Sequence, residues 1–309
     1  MKKITKIFIA IIAAAAIWSA APLVPFYISK DILPPTNETA MEKLKNNEGE
    51  YFEFIMFGDN HAGLFFDDSA TLKIIARMNR EDRFKKVPID FVMSSGDVTF
   101  RGTEWDYRAY NKIRARVKWP VITAFGNHDD DNAGAPRFKE YAGARDFAFS
   151  DRNSYFIVLD DSKSDLTEKQ FAFLGEELKK SQTYRHRFVI MHKPPFCPYQ
   201  QEWYRPELSP WAYRFMKLCE GYKVDMVFSG HVHMSKKSSF GGVKYIVSGG
   251  GGMTNQIPTP DGGFLHYTVV RVRGDYVDYE VRKVFPPLWE YFAYYVWKDL
   301  LYLLKDILI

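Results

Sequence analysis

Cysteine is scarce: the 309 residues include only Cys197 and Cys219. They lack the close spacing of a zinc site and are too few for a disulfide scaffold, so both classes are excluded. The pair suits either one disulfide in an exported domain or two unpaired thiols, one of them buried. Charge of one sign is also lacking. The formal net charge is +4, from 42 basic and 38 acidic residues. With no long Lys/Arg run, nothing marks a nucleic-acid surface, and no nucleic acid is expected as a partner. Internal repeats and low-complexity tracts are absent. Histidine is sparse, at seven residues.

What is present is ordinary for a globular chain: 46% apolar and 26% charged residues, with a high aromatic share of 17% that is concentrated towards the C-terminus. The length allows one large domain with appendages, or two small ones. Lys2, Lys3 and Lys6 precede an apolar run from Ile7 to Ala21, followed by Pro22, Pro25 and apolar residues to Ile28. This reads as a signal anchor or a signal peptide over residues 1–29. Cleavage after Ala21 would leave Pro22 next, which favours an uncleaved anchor, and the run approaches the ~20 residues that span a bilayer. The basic start places the remainder on the extracytoplasmic face, or secreted or periplasmic if the segment is cleaved.

Residues 30–50 are polar, contain Pro34 and Pro35, and read as a linker. From residue 51 to 285, strands and helices alternate. Strands are expected at Tyr51–Phe57, Ile89–Met93, Val121–Phe125, Phe147–Phe149, Tyr155–Leu159, Phe188–Met191, Val224–Phe228 and Val243–Val247, with a closing hairpin of Phe264–Val272 and Tyr276–Val284. Helices are expected at Ser69–Asn79, with Leu72, Ile75 and Ala76 on its inner face, at Thr103–Val117, from Thr167, and after Ser209-Pro210. The pattern implies an α/β fold: a four-layer αββα sandwich of mixed β-sheets flanked by helices, with an N-terminal anchor helix. Residues 286–309 are expected to form a C-terminal amphipathic, aromatic-rich helix that suits a membrane interface, or docking on the domain or a second copy.

The chemistry concentrates at strand ends. Ser229-Gly230-His231-Val232-His233 puts two imidazoles on one side of the chain, able to serve one metal centre. Four further strand ends carry Asp59-x-His61, Gly96-Asp97, Gly126-Asn127-His128-Asp129 and His192. This mix of oxygen and nitrogen donors suits Mn, Fe, Zn or Co, as two divalent transition-metal ions, rather than calcium or magnesium alone. Two ions ~3.5–4 Å apart need a bridging carboxylate, for which Asp97 is the candidate.

In this order the five motifs resemble those of the calcineurin-like metallophosphoesterase family, over about Ile55 to His233. The resemblance implies one metal held by Asp59, His61, Asp97 and His233, and a second by Asp97, Asn127, His192 and His231. It also implies a bridging hydroxide attacking phosphorus, His128 acting on the substrate side, and Asp129 orienting that imidazole. Asn127 as a turn cap and Asp129 as a solvated turn residue are the simpler alternatives. The position three after Asp97 is Phe100, where iron-type purple acid phosphatases carry a ligand tyrosine, so a tyrosinate site is not expected. The Gly-Asp-Val-Thr-Phe-Arg-Gly run looks more like the cyclic-nucleotide-diesterase branch.

The function expected is hydrolysis of phosphoesters, diesters favoured over monoesters. A non-catalytic scaffold of the same fold, or a nuclease, is the alternative; the complete ligand set speaks against the scaffold. The aromatic loop Phe196–Trp211 is expected to overhang the site and hold an apolar or base-like group, a lipid phosphoester among them. Arg101 contacts phosphate or is simply exposed. Gly249–Gly252 either lets backbone approach the metals or forms a simple turn. His186 and His266, which match no motif, are read as structural.

Overall fold

The computed structural model describes residues 27, 29–30, 35–81, 89–163, 165–196, 209–253 and 259–285. The expected C-terminal helix lies outside them, as does the anchor segment apart from Tyr27 and Ser29. Among the described residues, no helix is long and apolar enough to cross a membrane.

The unit Ile32–Val284 opens with α1 (Asn37–Glu42), in a stretch expected to be linker. Thr36 caps it by accepting from Thr39 N. Asn37 pins the helix through Nδ2 to Thr123 O (2.9 Å) and through Oδ1 from Thr123 N (2.8 Å). Polar composition hid a helix that is held by hydrogen bonds and by two buried apolar residues, Ala40 and Leu44.

The other elements are β1 (Tyr51–Phe57), α2 (Phe65–Met78), β2 (Ile89–Ser94), α3 (Glu104–Arg114), β3 (Val121–Thr123), α4 (Asn127–Asp130), α5 (Ala135–Tyr141), β4 (Phe147–Asp151), β5 (Ser154–Val158), α6 (Glu168–Lys180), β6 (His186–Ile190), α7 (Pro210–Gly221), β7 (Met226–Ser229), β8 (Ser235–Phe240), β9 (Val243–Ser248), β10 (His266–Arg273) and β11 (Tyr276–Lys283). The capping boxes at Thr103/Asp106 and Thr167/Gln170 form as expected. In α2 the buried face is Thr71, Ile74, Ile75 and Met78, while Ala76 is exposed. Strand β8 was not expected, because Ser235-Lys236-Lys237-Ser238-Ser239 has no apolar alternation; it is an edge strand, where polar residues and lysine are tolerated.

Two mixed sheets form, ordered β11-β10-β1-β2-β3 and β4-β5-β6-β7-β9-β8. Within the first, β1, β2 and β3 run parallel; within the second, β5, β6, β7 and β9 do. Period-two alternation sorts the side chains. Phe52, Phe54 and Met56 join Phe91, Phe149, Phe156, Phe188 and Phe228 in the core between the sheets. There Phe54 stacks on Phe91 at 5.2 Å and meets Phe156 edge-on at 5.4 Å, so aromatic packing runs across the sandwich. Val189 and Met191 face the other way, into a cluster with Phe171, Leu174 and Leu178 of α6 and Phe215 and Met216 of α7. Cys219 is a free thiol in this cluster, and burial raises its pKa; Cys197 lies outside the described residues.

The end of the sandwich near β6's first residue is closed by His186. Its Nε2 lies 2.7 Å from Gly274 O in the β10–β11 turn, and its Nδ1 is 3.3 Å from Asp225 Oδ1. His186 is structural, as expected. Parallel strands place their C-terminal ends at the opposite edge, where both sheets present their loops to one another.

Candidate metal centre

Five loops leave C-terminal strand ends and interlock through backbone bonds. Asp59 N donates to Gly96 O (3.0 Å), His61 N to Asp97 O (3.1 Å), and Gly230 N to His192 O (2.9 Å). Two further bonds cross between the sheets: His231 N to Asp59 Oδ1 at 2.8 Å, and His192 Nδ1 to Ser95 O at 2.9 Å. A carbonyl only accepts, so His192 Nδ1 carries the hydrogen and its Nε2 lone pair points into the site.

The result is two groups of donors. Asp59, His61, Asp97 and His233 form one, and Asp97, His192 and His231 the other; within each group the ligand atoms lie within 4.8 Å of one another. Asp97 belongs to both. Its Oδ1 accepts from His128 N (2.9 Å), while Oδ2 stands 3.6 Å from His61 Nε2 and 3.1 Å from His192 Nε2. His233 Nε2 is 3.4 Å from Asp59 Oδ1.

Two observations show that these residues fit a cation. First, Asp97 Oδ2, His61 Nε2, His192 Nε2 and Asn127 Oδ1 are all buried without a hydrogen-bond partner. Such a set is costly in a folded protein unless something else binds it. Asn127 Oδ1 is the neutral oxygen among these buried, unpartnered atoms. Second, Asp59, His61, Asp97, His231 and His233 all have positive φ, between 48° and 66°. These are five of the nine described non-glycine residues in that region, so backbone strain concentrates at the donors.

Electrostatics sets the protonation states. Burial works against charge on Asp97, but the His192 and His61 imidazoles hold its carboxyl well below the usual range. Burial and the neighbouring imidazoles keep His61 and His231 neutral. Burial also disfavours charge on His192, yet the adjacent Asp97 carboxylate pushes it up to about 10. Divalent ions require bare imidazole lone pairs, and on His192 a bound cation would take the place of a proton.

His128 stands apart from both groups. Its ring lies 4.5 Å from that of His61, and a third of its side chain is exposed, so it faces the open side. Nδ1 lies 2.8 Å from Phe100 O and therefore carries a hydrogen, leaving Nε2 as the ring's other nitrogen. Phe100 stacks against this ring at 6.1 Å, and the Arg101 guanidinium sits over Phe100 at 4.8 Å.

Asp129 is not the residue that orients His128. Its Oδ1 accepts from Thr99 N (2.9 Å) and Thr99 Oγ1 (2.8 Å), and its Oδ2 from Gly126 N (2.9 Å) and Val98 N (3.3 Å). Phe100 O fills the place at the imidazole. Asp129 is a fully buried staple between the loops after β2 and β3, and it is not a solvated turn residue. Burial and the Asp97 charge push it up to about 7 despite these donors. Asp129→Ala is expected to lower the stability of the protein by on the order of 3 kcal/mol, since several buried donors lose their acceptor together. Urea unfolding checks this: an unchanged midpoint with a reduced turnover number would return Asp129 to the orienting role.

The glycines Gly249–Gly252 all have negative φ or extended backbone and serve close approach. A Cβ on Gly251 would sit 2.1 Å from Gly58 O, and one on Gly249 would sit 2.8 Å from Asp59 Oδ2. Gly251 N donates to Gly58 O (2.8 Å) and Met253 N to Asp59 O (3.0 Å). The turn braces the loop that carries Asp59 and His61. The described ends of the aromatic loop pack in the outer cluster of the second sheet, Phe196 on Tyr245 and Trp211 on Phe215. Residues 197–208 lie outside the described set. His266 is buried and held neutral by burial, at about 4, with Nδ1 on Phe264 O.

The family model for calcineurin-like phosphoesterases matches residues 52–235. A probable cyclic nucleotide phosphodiesterase of Rhodopseudomonas palustris is 25% identical over 187 residues, 57% of this chain and 67% of that protein. Two solved structures share the fold. GAP50, the anchor in the inner membrane complex of Plasmodium, superposes with a TM-score of 0.60 at 14% identity, over 75% of this chain and 84% of that one. A purple acid phosphatase from yellow lupin seeds gives 0.59 at 16% identity, over 76% of this chain and about half (52%) of that one. With the matched region spanning every donor loop, the chain belongs to the calcineurin-like phosphoesterase family and is a metallophosphoesterase.

Proposed function

We propose that this chain hydrolyses phosphodiesters with two divalent transition-metal ions, one held by Asp59, His61, Asp97 and His233, the other by Asp97, Asn127, His192 and His231. The observation that carries the reading is Asp97 Oδ2, unpartnered and buried between His61 Nε2 and His192 Nε2. When bound, the two ions would supply Lewis acidity at the phosphoryl group and an acidified water as nucleophile. The chain's own residues do the rest. His192 and His231 are aimed by Ser95 O and Asp59 Oδ1. In its doubly protonated form His128 keeps Nδ1–H on Phe100 O and would present Nε2–H to the phosphoryl oxygens or pass that proton to the leaving alkoxide. The name of the Rhodopseudomonas relative supports a diester, with cyclic nucleotides as the first to try. The apolar run Ile7–Ala21 behind a basic start supports a membrane-anchored protein working on the extracytoplasmic side.

The test is a manganese-loaded full-length protein assayed on bis(4-nitrophenyl) phosphate, 4-nitrophenyl phosphate and cyclic nucleotides. The expected result is metal-dependent cleavage with kcat/KM at least about tenfold higher for the diester, a difference of about 1.4 kcal/mol in transition-state binding. Cleavage of the monoester alone would overturn the diester assignment. Two bound metals with no turnover on any ester would point to a scaffold.

A further inference from the structure

Just beyond β5, Asp161 is completely buried and matches none of the motifs that pointed to the site. A carboxylate in that position is unfavourable unless strong donors meet it. Here both oxygens are met by main chain: Oδ1 accepts from His192 N and Oδ2 from Lys193 N, each at 2.8 Å. The clasp is returned by Lys193, whose Nζ donates to Ser162 O at 2.7 Å. β5 and β6 are parallel neighbours, with Val158 opposite Ile190, so Asp161 lies beside the point where β6 gives way to the His192 loop.

These contacts fix the His192 backbone from one side while Ser95 O fixes its ring from the other. Gly230 N, on the loop that carries His231, donates to His192 O. His192 therefore depends directly on where its backbone is held, whereas the loop that carries His231 and His233 is anchored separately, by His231 N on Asp59 Oδ1 (2.8 Å). None of the hydrogen bonds of Asp59, His61 or His233 described above involves Asp161.

We infer that Asp161 is a positioning residue for the second metal site alone, setting occupancy of the Asp97–His192–His231 group without affecting the Asp59–His61–Asp97–His233 group. This rests on the two-metal reading above. The test uses the full-length protein stripped of metal and titrated with Mn²⁺, with bound metal counted by mass spectrometry and affinities read by calorimetry. Asp161→Asn keeps shape but turns one acceptor into a donor facing an N–H; Asp161→Ser, which retains a hydroxyl acceptor, is a second variant should the first fail to fold. Asp225→Asn is the control: Asp225 Oδ2 accepts from Arg187 N (2.8 Å) at the far end of the same strand, away from the metal ligands.

The expected result is a first equivalent of Mn²⁺ bound as in the parent and a second bound about ten- to a hundredfold more weakly. Asp225→Asn should bind both equivalents as the parent does, whatever happens to its melting temperature. Two unchanged affinities in Asp161→Asn, equal weakening of both, or the same loss in Asp225→Asn would each overturn the inference. A parent that fails to bind two equivalents would refute the two-metal reading instead, so the two failures are distinguishable without any assay of hydrolysis.

Discussion

Asp97→Ala is expected to leave the fold intact, reduce bound metal from two equivalents to less than one, and lower kcat/KM by on the order of 10⁴-fold. The size of the effect follows from the residue's place. Other donors serve one group each, but Asp97 belongs to both, and its Oδ2 faces His61 and His192 at once. Its removal deprives each site of a carboxylate and leaves a cluster of imidazoles with reduced negative charge to attract a cation. The loss of both the Lewis acid and the acidified water corresponds to about 5.5 kcal/mol of barrier. The neighbours of Asp97 favour its ionised carboxylate, and His128 N would lose its acceptor, so the alanine variant should melt somewhat below the metal-free parent. Metal analysis, thermal melting and kinetics on one preparation decide the matter. A variant that keeps one tightly bound equivalent and a tenth of the parent's activity would show that Asp97 is not shared.

The second large effect is structural. Gly126→Ala is expected to destabilise the protein by roughly 3 kcal/mol or more, at the upper end of overpacking changes. A Cβ there would lie 2.2 Å from Asp97 Oδ1 and 2.3 Å from Asp97 N, and the backbone nitrogen cannot swing aside. The loops after β2 and β3 would have to part, taking His128 and Asn127 away from Asp97. Gly175 provides the contrast. It sits within α6, and a Cβ on it meets nothing within 4 Å. Gly175→Ala should therefore stabilise by about 0.5–1 kcal/mol, the ordinary helix preference. Denaturant midpoints of the two variants should move in opposite directions. A Gly126→Ala variant as stable as the parent would mean that the two loops are not tightly apposed.

These expectations mark what the sequence could and could not reveal. Strand ends such as Asp59-x-His61 and Gly230-His231-Val232-His233 are legible because the residue types are rare and the preceding runs are apolar. That Asp97 stands between two groups is readable from its isolation on its own strand end. Asp129 illustrates the limit: adjacent to His128 in sequence, it points its carboxylate the other way, to Thr99 and Gly126. Nothing in one dimension gives that direction. Asp161 is less visible still, one of two successive aspartates, and only the fold shows that it faces His192. Helix α1 was hidden by prolines and polar composition, and β8 by its lack of alternation; both are held by tertiary contacts and edge pairing. The Gly249–Gly252 turn was visible, but the loop that it braces was not.

The left-handed backbone at Asp59, His61, Asp97, His231 and His233 has an evolutionary side. Glycine would relax each of these positions, where a side chain costs of order 1–3 kcal/mol, while abolishing ligation there. Selection for stability and selection for chemistry thus pull in opposite directions at the same five codons. A lineage released from the need for metal would relax the backbone by placing glycine at these sites, while losing the bonds that Asp59 and Asp97 give to His231 N and His128 N.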